Sequence, residues 1–144
     1  TMPPFSYITP EIQIMAGCKV KFATLTNDQI SDAYAAADEF ARDGDPNDMR
    51  VAQQLNKLLL AHSLVFFRGE EFGGMSMPED YHEIVRGDPK GAKEALVAVR
   101  ESRMEALGYL PVPIFQRLVE FYSAFQIAAE AVTKGDSLAD ILGN

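Results

Sequence analysis

The sequence predicts a mainly α (α+β) chain: a compact five-helix bundle preceded by a small N-terminal β-hairpin and an extended proline-rich arm. Three observations carry that expectation. Two short alternating stretches flank Ala16-Gly17, a capping-box tetrapeptide opens the first of several segments with three- and four-residue apolar spacing, and Gly or Pro punctuates the breaks. At 144 residues the chain is expected to be one domain, with the arm and hairpin in residues 1–25 and the helical body in 26–144.

The first ten residues carry Pro3, Pro4 and Pro10 with Phe5, Tyr7 and Ile8 between them, which excludes a helix and predicts an extended arm or an edge strand. From Glu11 to Met15 the pattern alternates, placing Ile12 and Ile14 on one face and Gln13 on the other. Gly17 suits a tight turn because it tolerates positive φ. Cys18 to Phe22 alternates again, with Val20 and Phe22 inward and Lys19 and Lys21 outward.

Thr26-Asn27-Asp28-Gln29 is a capping box, in which the Thr hydroxyl accepts from the backbone of Gln29 and the Gln side chain reaches back. The helix behind it, residues 28–42, carries an apolar stripe of Ile30, Ala33, Tyr34, Ala37 and Phe40. Gly44 and Pro46 end it, and Asn47 or Asp48 caps a second helix over residues 48–67 bearing Val51, Leu55, Leu58, Leu59, His62 and Val65. Its last residues, SLVFF, are apolar on several faces and need a central position or a partner's cover. The Gly-rich residues 69–77 read as a loop, and Pro78 as the opening of a short helix, PEDYHEIVR. Asp88 and Pro89 start a fourth helix that buries Ala92, Leu96, Val99 and Met104, turns Arg100 and Arg103 outward, and stops at Gly108. The fifth, over residues 112–134, is dense in Phe115, Leu118, Val119, Phe121, Tyr122 and Phe125, with 115, 118, 122 and 125 on one side. DSLADILGN closes the sequence with a short helical turn.

Composition narrows the functional classes. Thirteen basic against 21 acidic residues, a net charge of -8 and no basic run argue against a nucleic-acid partner. The single cysteine, Cys18, excludes an internal disulfide and fits a reducing compartment. No stretch approaches the roughly 18 apolar residues of a membrane span, and the N-terminal residues lack the basic end and apolar run of a signal peptide.

No catalytic, cofactor or metal constellation stands out, so no enzymatic activity and no cofactor are expected. GDPKGAK places three residues between Gly87 and Gly91, with Ala92 where a phosphate loop needs Lys; a helix start accounts for it. Asp43, Asp45 and Asp48 echo a calcium loop without its glycine and distal glutamate in register. His62, on a leucine-rich face, reads as a satisfied core or interface residue, and His82, among Glu79, Asp80 and Glu83, as part of a solvated helix face. Ser102, Ser123 and Ser137 lack a nucleophile elbow.

The run KVKFATLTNDQISDAYAAADEF, followed after a charged break by AQQLNKLLLAHSLV, resembles the front of bacteriophage tail-assembly proteins. These include tail assembly chaperones associated with the tape measure and hub-assembly proteins of contractile tails. The matching pieces are Lys19-Val20-Lys21-Phe22, Leu25-Thr26, the 28–42 helix and Ala61-His62-Ser63-Leu64-Val65. ALGYLPVPIFQRLVEFYSAF is similar to the closing helix of that family, and the resemblance spans residues 18–66 and 104–126. It implies a binding role in the host cytoplasm during assembly: covering the apolar helical surface of a tape-measure or hub protein, with Leu64, Val65, Phe66, Phe67, Phe121 and Phe125 as candidate groove residues. Three alternatives stay open. A permanent tail or baseplate subunit would use Phe5, Tyr7 and Ile8 of the arm to add a strand to a neighbour, a general helical adaptor would use the same patches, and a small-molecule enzyme would need a polar pocket around His62 or His82. Self-association is open in each case; neither nucleic acid nor membrane is an expected partner.

Overall fold

A computed structural model describes residues 8–42, 44 and 49–133. The strands β1 (Ile12–Met15) and β2 (Cys18–Phe22) lead into helices α1 (Asn27–Ala41) and α2 (Met49–Ser63), then β3 (Leu64–Phe67), β4 (Glu70–Glu71), α3 (Tyr81–Gly87), α4 (Pro89–Gly108) and α5 (Val112–Thr133). The mainly α (α+β) class and the five helices are as expected. The sheet is larger than the hairpin anticipated: four antiparallel strands in the order β1-β2-β3-β4.

The turn between β1 and β2 uses Gly17 at φ +76, the conformation foreseen for it. Before β1, Ile8 forms a bridge with Ala23, and Thr9 clasps Phe22 through its backbone N–H and its hydroxyl, so this part of the arm runs along β2. On the other side of β2, Val20 pairs with Phe67 and Phe22 with Leu64.

The second helix therefore stops at Ser63, and LVFF is a strand rather than the last turn of a helix. The physical reason is local as well as tertiary. Val65, Phe66 and Phe67 favour a pleated surface, and Arg68 (φ 54) with Gly69 (φ 82) makes the positive-φ turn that folds β3 back on β4. Ser63 fastens the junction: its carbonyl accepts from Ala23 N–H at 2.7 Å and its hydroxyl donates to the Ala23 carbonyl at 2.8 Å. Within residues 69–77, read as loop, β4 is followed by a single 3-10 turn, Phe72–Gly74.

Helix α5 lies over the sheet. Phe22 stacks on Phe125 with ring centroids 6.0 Å apart and tilts against Tyr122 at 6.4 Å. Val20, Leu60, Leu64, Phe72, Leu107 and Leu118 complete this core; full burial of one such side chain contributes about 2–3 kcal/mol. As the spacing implied, Leu118, Tyr122 and Phe125 share the buried side of α5; Phe115, expected with them, is only half-buried, as is Phe121. A second, smaller core joins α1 to α2 through Ala33, Ala37 and Leu58.

Both sides of the capping box form, with Gln29 N–H donating to Thr26 Oγ1 at 3.2 Å and Thr26 N–H to Gln29 Oε1 at 3.0 Å. The α1 stripe is only partly buried: its alanine centre meets α2, whereas Tyr34 and Phe40, at its two edges, stand about half exposed. Helix α3 begins at Tyr81 rather than Pro78, and α4 starts where expected, with Asp88 accepting from Gly91 N–H at 3.0 Å. The arm residues Phe5 and Tyr7, the aspartates 43, 45 and 48, Asn47 and the closing DSLADILGN lie outside the described residues.

Candidate functional site

Two buried polar assemblies meet beside the end of α2. The first centres on Asp32 of α1, whose Oδ2 accepts from His62 Nε2 of α2 at 2.8 Å and from Arg100 Nε of α4 at 2.7 Å. Burial pushes the Asp32 carboxyl upward, but the hydrogen bond from His62 and the Arg100 guanidinium outweigh it and hold the carboxyl below its ordinary range. An ionised carboxylate only accepts, so the His62 proton sits on Nε2. That leaves Nδ1, which is buried and has no hydrogen-bond partner among the described residues.

The second assembly is Arg103, foreseen as outward-facing and in fact 1% exposed. Helix α2 ends with carbonyls that have no helical partner. Arg103 Nη1 donates to two of them, Ala61 O at 3.2 Å and His62 O at 3.0 Å, and Nη2 reaches Met75 O at 3.4 Å. Its Nε is left without a partner. Burial lowers the guanidinium to about 10, with the charge of Glu71 acting in the opposite direction. Gly73, at φ +73, lets the chain pass: a Cβ there would lie 3.1–3.2 Å from Arg103 side-chain and backbone atoms.

His62 and Arg103 both line a cavity of about 520 Å³. Its apolar walls include Ile8, Val65, Phe66, Met77, Pro78 and Leu96. Tyr81 and Leu96 also border a neighbouring cavity of about 410 Å³ that contains Asp32 and Asp28 in its wall. Tyr81 donates to Asp28 Oδ2 at 3.2 Å, and burial together with the Asp28 charge raises its phenol to about 12, so it stays a donor.

The residues expected to form one docking groove are dispersed. Leu64 is fully buried and Phe125 nearly so; both are core residues, which withdraws them from any docking surface of the folded domain. Phe67 packs on Phe72 with centroids 5.8 Å apart, and Phe121 flanks the core under α5. Val65 and Phe66 instead join Ile8 around the larger cavity, and Lys21 Nζ lies 5.1 Å over the Phe66 ring. Phe5 and Tyr7 lie outside the described residues.

Sequence reasoning missed Asp32, Arg100 and Arg103. For Arg103 the signal was present: it falls in step with Ala92, Leu96, Val99 and Leu107 along the buried face of α4. Asp32 gave none, because an aspartate at the edge of an amphipathic stripe looks like any solvated one.

His82 is exposed, and among the described residues no three His, Cys, Asp or Glu side chains gather as metal ligands. No helix among them is long and apolar enough to cross a membrane. Cys18 is buried, and that burial raises its thiol despite the opposing charge of Arg68. Comparison with protein-family models, with curated proteins and with solved structures gives no match.

Proposed function

We propose that this chain is a non-enzymatic assembly protein of bacteriophage tails that covers the apolar face of a long helical partner, of the tape-measure or hub kind, until assembly displaces it. One observation supports this reading above others. On the α1–α2 hairpin the buried seam is narrow and made largely of Ala33, Ala37 and Leu58, while Tyr34, Phe40 and Met49 stand 53%, 49% and 73% exposed. Large apolar side chains left beside a thin seam are what an incoming amphipathic helix can cover. The acidic setting, with Asp28, Asp38 and Glu39 on α1 and a net charge of -8, favours a helix with basic flanks and keeps the unbound chain soluble.

The test combines mass spectrometry with surface variants. The chain should be found bound to tape-measure or hub protein in infected lysate and be missing from washed virions. Replacing Tyr34, Phe40 and Met49 together by Ser should abolish that co-purification and leave thermal unfolding unchanged. Stoichiometric recovery in washed virions would identify a permanent tail or baseplate subunit instead. Absence from both fractions would end the tail-assembly proposal and leave an adaptor of another system.

A further inference from the structure

Among the helices described, α3 alone contributes no buried residue. At seven residues it is much shorter than a helix that holds itself together in water, so its order depends on what it rests against. The cavity of about 520 Å³ opens under Met77, Pro78 and Tyr81, and that of about 410 Å³ under Tyr81 and Val85. Protein interiors are otherwise close-packed, so two cavities along one inner side mean that dispersion contacts are missing there. Among the described residues, Tyr81 and Leu96 border both cavities. Tyr81 belongs to α3 and Leu96 to α4, so α3 itself supplies one side of the partition.

The segment is fastened near its ends. Ser102 Oγ donates to the Gly73 carbonyl and Arg103 Nη2 to that of Met75 at 3.4 Å, while Asp88, just beyond α3, caps α4 through Gly91 N–H. A glycine stands at each end, Gly74 at φ +70 and Gly87, and at neither would an added Cβ meet an atom within 4 Å. The surroundings therefore leave both glycines room to turn. Between the ends, the Tyr81 hydroxyl donates to Asp28 Oδ2 at 3.2 Å, a solvent-exposed bond that ties α3 to the first turn of α1.

We propose that residues 76–87 form a hinged strap that gates the two cavities. The strap turns about Gly74 and Gly87, and Tyr81 is its latch on Asp28. Lifting it joins the cavities into one apolar cleft floored by Val65, Phe66, Ala92 and Leu96. Opening gives up one exposed hydrogen bond and the half-buried contacts of Met77, Pro78, Tyr81, Ile84 and Val85, and it gains chain freedom. Helix α3 packs on α4 and supplies no residue to either hydrophobic core, so the strap can open while the rest of the fold stands. The gate is independent of the exposed α1–α2 surface.

Amide exchange of the full chain, followed by two-dimensional NMR at rising sub-denaturing urea, tests the opening. The amides of Ile84 and Asp88, bonded to the carbonyls of Asp80 and Ile84, should exchange at rates that urea does not change, because a local opening exposes little surface. Those of Leu60 and Val99 should exchange more slowly and accelerate steeply with urea. Tyr81→Phe should speed Ile84 and Asp88 about two- to tenfold and leave them insensitive to urea. A thiol under the strap reports the lifting itself. In a Cys18→Ala background, Leu96→Cys should react with a thiol reagent at a rate independent of urea below the unfolding transition, and Tyr81→Phe should raise that rate by the same factor. Should Leu96→Cys fail to fold, Ala92→Cys, in the wall of the smaller cavity, takes its place. Strap amides that exchange in step with Leu60 and Val99, or that ignore Tyr81→Phe, would overturn the proposal. So would local amide exchange beside a thiol that reacts only on global unfolding, which would mean that α3 frays in place without lifting.

Discussion

Replacing Asp32 by Asn keeps the side chain's shape and removes the charge that ties α1 to α2 and α4. In the native chain Oδ2 accepts two charge-assisted or strongly polarised bonds, at 2.8 Å from His62 and 2.7 Å from Arg100. The side chains of Asp32 and His62 are 8% and 0% exposed, so water replaces little of what is lost there, whereas Arg100, at 17%, can turn partly outward. Both donors meet the same oxygen, so an amide oxygen in its place can still accept from both, and what is lost is the carboxylate's charge. Breaking a buried pair by removing one partner costs about 3–5 kcal/mol; allowing for the retained bonds and the freedom of Arg100, Asp32→Asn should cost about 1–3 kcal/mol. Urea unfolding at neutral pH measures it, and a cycle with His62→Gln should return a coupling of about 1–3 kcal/mol.

The pH dependence gives a second, sharper test of the same assembly. The folded carboxyl titrates below its unfolded value, so the unfolded state takes up the proton first as pH falls. The stabilisation is then complete above the ordinary carboxylate pKa of about 3.9 and is lost as pH drops through the lowered folded value. The gap between parent and Asp32→Asn should therefore be constant around neutrality and close toward strongly acidic pH. A gap below about 0.5 kcal/mol at neutral pH, or one that stays the same into acid, would refute the account.

Three further expectations follow from single positions. Gly73→Ala should destabilise by about 2–4 kcal/mol, because positive φ and the 3.1–3.2 Å approach of Arg103 act together. Gly69→Ala, at φ +82 with no atom within 4 Å of the added Cβ, should cost only about 1–2 kcal/mol; comparable losses in chemical denaturation would contradict the packing argument. Cys18, buried and with its thiol raised, should react with an aromatic disulfide reagent far more slowly in the native chain than in urea, and equal rates would place it at the surface.

Much of the architecture was legible because it rests on short-range chemistry. The capping box at Thr26, the turn at Gly17, the Asp88-Pro89 helix start and the inward side of α5 each follow from a few neighbouring residues and a backbone period. The SLVFF segment was misassigned because a short apolar run fits a buried helix end and a strand equally well. The deciding cue was Gly69, read as the start of a loop when, with Arg68, it makes the turn between two strands.

The candidate site was legible in far smaller part. His62 could be assigned to the interior from its leucine-rich face, but its partner is 30 positions away on another helix, and Arg100 reaches the same carboxylate from 68 positions away. Arg103 occupies a core position on α4, and only the packing of the α2 terminus against that helix explains why a cation is tolerated there. The groove proposed from Leu64 to Phe67 with Phe121 and Phe125 failed as a unit for the same reason: apolar character says that a residue seeks cover, not which surface covers it. The sequence by itself determined the helices, their caps and the strand faces, since these depend on periodicity and local hydrogen bonding. Which carboxylate meets which imidazole, which large apolar groups remain exposed and where a cavity opens were decided by the docking of α1, α2 and α4, because those energies arise between residues far apart in the chain.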